Sequence, residues 1–248
     1  QEDIFFASYD TTARIWSIED FPYNSPLNEG ALALSPDNNY LIFMSCERND
    51  GLGGCDLYLS FKDKGRWSKP TNMGPSFNSI SWDGHPCFGL DGLTLFFSSS
   101  RPGGMGGKDI WYVYQIAEGR WSNPINAGPA INTPDNEESP FVHFDGQTIY
   151  FMRDGKEGLG GYDLYISRKG IDGKWQKAEN LGAPINSGVD EGALTLHPDG
   201  KRAIITRMTG TAKNDLFEFG LPEKFRATPT QALQVTIKDQ VTGQPVRA

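Results

Sequence analysis

The chain has 248 residues, a formal net charge of −8, 12% aromatic residues, 29 glycines and 16 prolines. So acidic a surface excludes a nucleic-acid footprint, which needs a basic patch. No run of 18 apolar residues offers a membrane-crossing helix, and no signal peptide is evident.

In chain order, DIFFAS (3–8) and RIWS (14–17) come first and read as two short strands. EGALALS (29–35) reads as a strand, SPDNN as a turn and YLIFMS (40–45) as a second strand. A glycine-rich loop leads to DLYLSF (56–61), then KDKG turns into a last strand around RWSKP (66–70). The loop recurs as RPGGMGGKDIW and as DGKEGLGGYDLYIS (154–167), with a worn copy at 208–219. Its Asp is Asp56, Asp109, Asp163 and Asp215. Asp37, Asp91, Asp145 and Asp199 stand 54 apart, as do Glu29, Asp83, Glu137 and Glu191. Trp67, Trp121 and Trp175 keep that interval, and so do Asn78, Asn132 and Asn186. A fixed period of this length is the mark of a repeat architecture.

The second strands LTLFFSS, TIYFM and RAIIT carry consecutive apolar residues, as strands covered on both faces do. Asp-Gly turns at 91–92, 145–146 and 199–200 point to hairpins. Four-stranded antiparallel sheets recurring about every 54 residues describe an all-β fold, a β-propeller. Its units are 28–79, 80–134, 135–188 and 189–229, the last with a shortened glycine loop and Phe225 in the Trp column. The two opening strands match the third and fourth of a blade, with Asn24 in the Asn78 column. The expectation is that this blade's first two strands lie upstream, in a longer protein whose ring has six blades. A boundary is expected near 230. Beyond the TPTQ linker (228–231), ALQVTIKDQVTGQPVRA (232–248) alternates like the first strand of a separate β-sandwich.

The glycine loops open β segments with no GK[ST] following, so they are turns and not phosphate cradles. Cys46 ends one strand and Cys55 begins the next, each alone in its column. They are either a disulfide, implying an oxidising compartment, or two reduced small side chains. Cys87, on an inner strand, reads as a buried free thiol.

The SPDN, LDG, FDG and HPDG turns, the glycine loops, GRW or GKW, and NLG or NAG together resemble the WD-like propeller repeat of TolB-type proteins. They resemble more closely the envelope proteins of Bacteroidetes-type bacteria that end in an outer-membrane-protein-A-like domain. The tail, through VTIKDQ and then Gly243, Gln244 and Pro245, is similar to the start of a carboxypeptidase regulatory-like domain. Proteins of this order include a periplasmic component of the type IX secretion machinery. The resemblance implies a periplasmic, outer-membrane-associated scaffold with envelope or outer-membrane proteins as partners. Peptidoglycan would be bound only through a domain absent from this chain.

Candidate sites lie where the glycine loops and inter-blade links emerge, since loops on a rigid scaffold carry function. Glu29, Asp83, Glu137 and Glu191 begin the channel-lining strands. Such a ring either holds a hard cation such as Ca²⁺ or spends each acid on local backbone donors. Trp82 and His85 break the repeat, standing against Asn28, Asn136 and Asp190 and against Ala31, Ser139 and Ala193 in their columns, and with Asp83 they form a one-off cluster. This WDGH cluster is either a partner-binding anchor or a packed loop. As an anchor, Trp82 would be removable without loss of thermal stability. His143 and His197 fall on the opposite face and read as structural, and the recurring tryptophans as outer-strand packing. No cofactor and no catalytic residue is expected. Equivalent acids in one column are the opposite of the unequal pair a glycosidase needs, and no G-x-S-x-G elbow occurs. A non-catalytic scaffold is therefore expected, against a glycan- or peptidoglycan-binding propeller or a glycoside hydrolase with channel carboxylates.

Overall fold

The computed structural model describes residues 2–197, 199–210, 213–230, 240 and 242. A hairpin of β1 (Phe5–Asp10) and β2 (Ile15–Asp20) is followed by four antiparallel sheets. The first holds β3 (Glu29–Leu34), β4 (Tyr40–Cys46), β5 (Cys55–Asp63), β6 (Arg66–Trp67) and β7 (Thr71–Asn72). The second holds β8 (Asp83–Phe88), β9 (Thr94–Ser99), β10 (Asp109–Ala117), β11 (Arg120–Trp121) and β12 (Ile125–Asn126). The third holds β13 (Asn136–Val142), β14 (Thr148–Asp154), β15 (Tyr162–Arg168) and β16 (Glu179–Asn180). The fourth holds β17 (Glu191–Leu196), β18 (Arg202–Thr209) and β19 (Lys213–Gly220). Inner strand β3 packs beside β8, β8 beside β13, and β13 beside β17, so the sheets stand as successive blades.

The core lies between blades. Ile42 and Leu57 of the first blade meet Leu95, Phe97, Trp111 and Val113 of the second. Phe96 and Ile110 of the second meet Ile149, Phe151 and Tyr165 of the third. Tyr150, Leu164 and Ile166 of the third meet Leu194, Ala203 and Ile205 of the fourth. Neighbouring residues of one strand point to opposite faces, so each second strand serves two interfaces and has no polar side to spare. Trp67 stacks on Phe6 with centroids 5.8 Å apart, Trp121 meets Phe77 and Trp175 meets Phe96, each edge-on.

Two details differ from the sequence expectation. The outer strand expected over 66–70 is two fragments, β6 and β7, interrupted at Pro70, and β11 and β12 are interrupted likewise at Pro124. Proline has no N–H for a ladder, so pairing breaks there. In the fourth blade the outer strand gives way to a 3₁₀ turn, Glu223–Phe225, after Pro222. Phe225 is buried there among third- and fourth-blade side chains, and the Tyr150 hydroxyl donates to its carbonyl at 2.6 Å. Of the tail expected to open a second domain, only Thr230, Gln240 and Thr242 are described; VTIKDQ, Gly243, Gln244 and Pro245 otherwise lie outside the described residues.

The glycine loops have their cause in close approach. A Cβ on Gly53 would lie 1.8 Å from the Ser81 carbonyl oxygen, and one on Gly106 would lie 2.1 Å from that of Asp135. The loop of one blade thus presses on the link entering the next, where only glycine fits. The loop amides of Leu52 and Gly53 donate to Asp56, those of Met105 and Gly106 to Asp109, and that of Leu159 to Asp163. Donors that a phosphate would need are already taken.

The Asn column closes each blade. Asn132 Oδ1 accepts from Ile110 N–H at 2.9 Å, while its Nδ2 donates to the Ile110 carbonyl at 2.9 Å and to Asn126 Oδ1 at 2.8 Å. Asn24, Asn78 and Asn186 clasp Ile4, Leu57 and Leu164 in the same way. Replacing Asn132 by Ala strands a buried amide and carbonyl. The expected cost is about 2–3 kcal/mol, read as a lower urea midpoint at unchanged m-value. A loss below about 0.5 kcal/mol, the range of an ordinary surface change, would show the clasp to be dispensable.

Candidate functional site

Each inner strand carries a bulge near its start. The register with the second strand slips between Gly30 and Ala33, Gly84 and Cys87, Glu138 and Phe141, and Gly192 and Thr195. Within those slips Ala31, His85, Ser139 and Ala193 have φ of 43°, 50°, 50° and 37°. Left-handed backbone at non-glycine residues carries strain that the surrounding structure must hold. These four residues line a central cavity of about 610 Å³.

The acids that start these strands do not form a cation ring. Glu29, Asp83, Glu137 and Glu191 are fully buried, and each is held by the link entering its blade and by an arginine of that blade. The hydroxyl and amide four residues earlier donate to it: Ser25 at 2.5 and 3.1 Å, Ser79 at 2.8 and 2.6 Å, Thr133 at 2.6 and 3.0 Å, Ser187 at 2.5 and 2.9 Å. An arginine at the end of the second strand completes the set. Arg101 lies 2.6 Å from Asp83, Arg153 2.8 Å from Glu137, Arg207 3.0 Å from Glu191, and Arg48 a looser 3.9 Å from Glu29. Arg101, Arg153 and Arg207 also donate to the carbonyls of Phe77, Ile131 and Ile185 in the link entering the blade. Burial pushes the Glu137 carboxyl up, with the Thr133 and Arg153 bonds pulling it back. With its lone pairs taken, such a carboxylate has nothing left for Ca²⁺, which needs many oxygens. Among the described residues no three His, Cys, Asp or Glu side chains gather as a metal site.

The cluster that breaks the repeat divides in the structure. Asp83 belongs to the clamp of acid, hydroxyl and arginine. Trp82 is half-buried: its ring lies 5.2 Å from His85, Lys108 Nζ sits 4.2 Å from its centroid, and Met44 packs at the adjoining Gly84. Trp82 is therefore a packed side chain with one part open, and its removal would cost stability as well as any contact.

His85 leads to residues that sequence reasoning missed. Its Nδ1 lies 3.2 Å from Glu138 Oε2. Lys108 Nζ reaches Glu138 Oε1 at 2.9 Å, and the Tyr162 hydroxyl donates to the same oxygen. Glu138 is buried and stands where the other repeats have Gly30, Gly84 and Gly192. A carboxylate in a glycine column is the signal that would have found it. Burial, then the Glu138 bond, raises the Tyr162 hydroxyl far above its ordinary range. Burial takes His85 down to about 4, against the pull of Glu138 and with the help of Lys108. The imidazole is therefore neutral at physiological pH.

The remaining candidates are structural in position. His143 Nδ1 accepts from the Asp145 amide at 3.1 Å inside its hairpin turn, and His197 lies 3.5 Å from Glu218. Cys87 is a free thiol that accepts from the Val142 amide and is pushed up to about 11 by burial. Cys46 and Cys55 face each other across β4 and β5 and are joined by a disulfide.

This fold of blades around a cavity has relatives among solved structures. The chain is a β-propeller. It is similar to TolB from Acinetobacter baumannii, 16% identical, with a TM-score of 0.56 over 91% of this chain and 50% of that one. It thus spans half the length of that TolB. It is also similar to an endo-arabinase from Bacteroides thetaiotaomicron VPI-5482, 13% identical, with a TM-score of 0.54 over 89% and 94% of the two chains. An α-L-arabinofuranosidase from Lactobacillus brevis follows at 10% identity and 0.51, over 79% and 69%. Likeness at such identities concerns the fold alone. No family model matches the sequence, and no curated protein matches it.

The depressed His85 gives a pH prediction. Below an ordinary value near 6.5 the unfolded chain takes up a proton that the folded chain refuses down to about 4. Its contribution is therefore complete above pH 6.5 and is lost as pH falls from there to about 4. The loss is up to about 3 kcal/mol. His85→Gln should show a shallower decline over that window in urea melts. Parallel wild-type and variant curves would place the ring in a more solvated setting.

Proposed function

We propose that this chain is a non-catalytic interaction module of a bacterial envelope, periplasmic and outer-membrane-associated, with type IX secretion as the assembly its repeat resemblance implies. The observation that carries this reading is the clamping of the four channel-mouth carboxylates. Glycoside hydrolysis needs two carboxyl groups in unequal environments, one of them open to protonate a leaving group. Here four near-equivalent acids are fully buried, each against its own arginine and hydroxyl. What remains open is the set of loops and a cavity, which suits docking.

The likeness to TolB supports the fold on which such a module is built, and none of the described helices is long and apolar enough to cross a membrane. The disulfide fits an oxidising compartment. We further propose a ring of six blades, to which β1 and β2 contribute the outer half of one, with a domain boundary near 230.

Two measurements test this. Peptide mapping without reductant should recover Cys46 and Cys55 linked in protein taken from the native host; two free thiols there would remove the support for an oxidising compartment. Affinity capture from solubilised envelope, with the full-length protein as bait, should return proteins that a version lacking residues 1–229 does not. Identical captures would sink the module reading and move glycan binding or hydrolysis to the front.

A further inference from the structure

The central cavity has a one-sided chemistry. Glu2, Asp3, Glu29, Asp190 and Glu191 line it, and no lysine or arginine is among its lining residues as described. Glu29 and Glu191 are held by Arg48 and Arg207 in the clamps, so Glu2 and Asp190 carry the wall's unclamped charge, while Lys108 is spent on Glu138. A cleft walled by one sign of charge in low-dielectric surroundings concentrates ligands of the other sign.

His85 adds an acceptor that is not an acid. Its Nδ1 lies 3.2 Å from Glu138 Oε2 without a hydrogen bond between them. The ring lines the cavity, and a neutral imidazole carries one acceptor nitrogen. The Tyr162 hydroxyl, a donor on the same wall, is spent on Glu138. The open polar groups of carboxylate and imidazole thus ask for a ligand made of donors. Guanidinium and ammonium heads are donors only, and the guanidinium matches a carboxylate with two parallel bonds. Between the polar groups stand Met44, Met152 and Met208. Thioether side chains adapt their shape to apolar segments of different outline.

We infer that the cavity docks a cationic peptide segment: an arginine- or lysine-bearing loop of a partner protein, its charged head among Glu2, Asp190 and His85 and its apolar atoms on the methionines. This deepens the interaction-module reading and rests on it. A bare metal ion fits less well, because a hard cation needs several converging oxygens and no such group gathers among the described residues.

The test is fluorescence anisotropy on the intact chain with a short labelled peptide carrying two arginines in an apolar context, against the same peptide with glutamines. The arginine peptide should bind at least about tenfold more tightly at low salt, with the difference shrinking near 0.3 M salt. Glu2→Gln and Asp190→Asn should each weaken it several-fold with unchanged thermal melts. Asp190→Asn keeps an acceptor for the Tyr162 amide, and Glu2 is exposed, so neither should unfold the chain. Glu19→Gln and Glu118→Gln, which remove acids outside the cavity, should leave affinity unchanged. Equal binding of the two peptides, or equal loss in the outside variants, would overturn the inference. Envelope capture that persists without peptide binding would overturn the cavity as docking point and leave the module standing. Specific peptide binding without envelope capture would uphold the cavity's chemistry and remove its envelope role.

Discussion

A buried carboxylate at the entry of every inner strand governs the rest of the molecule. There the chain leaves a surface link and starts an inner strand at a fully buried position, so the polar groups around it are cut off from water. The acid satisfies them at once: it accepts the amide and hydroxyl four residues back and holds the arginine that binds the link's carbonyl. Burying a carboxylate and a guanidinium costs several kcal/mol per ion, which mutual attraction offsets only with good geometry and further hydrogen bonds. The further bonds are present in the second, third and fourth blades. The first is looser, with Arg48 at 3.9 Å from Glu29 and 3.3 Å from Asp50.

The remaining repeated residues extend the same logic along the link. Asn78, Asn132 and Asn186 tie its end to the third strand of their own blade, and Asp56, Asp109 and Asp163 hold the glycine loop and a further asparagine, Asn72, Asn126 and Asn180. Glycine then lets that loop touch the link to the next blade. The blade is thus one hydrogen-bonded unit whose apolar faces are completed only by its neighbours. That arrangement explains why polar residues keep the beat of the repeat as strictly as apolar ones.

Spacing decides how much of the molecule is legible in the sequence. The acid, Asn and Trp columns recur at 54 residues and sit at fixed offsets from the strands, so the blades and their order can be read directly. The arginines escape because Arg48, Arg101, Arg153 and Arg207 are spaced by 53, 52 and 54, drifting with the glycine loops they border. The outer strands are shorter than they promise, since RWSKP has the composition of a strand while its proline denies the ladder an amide. The oddity of Trp82 suggests exposure. Nothing in one sequence announces that Lys108 sits over its ring and that Met44 of the first blade packs at the adjoining Gly84.

Departures from the repeat are where this molecule acquires individuality, and they are physically linked. In the second and third blades the residue at the start of the third strand, Lys108 or Tyr162, gives its amide to a side-chain oxygen of the next blade, Asn136 or Asp190. At the corresponding place Trp82 has no such oxygen to offer Cys55, and only a backbone bridge joins the two. The disulfide to Cys46 holds Cys55 instead. The indole packs on His85, whose other neighbour is a glutamate that displaced a glycine. Lys108 and Tyr162 have side chains of their own to spend, and both spend them on Glu138. Trp82, His85 and Lys108 of the second blade and Glu138 and Tyr162 of the third thus form one connected cluster, of which His85 and Tyr162 line the cavity.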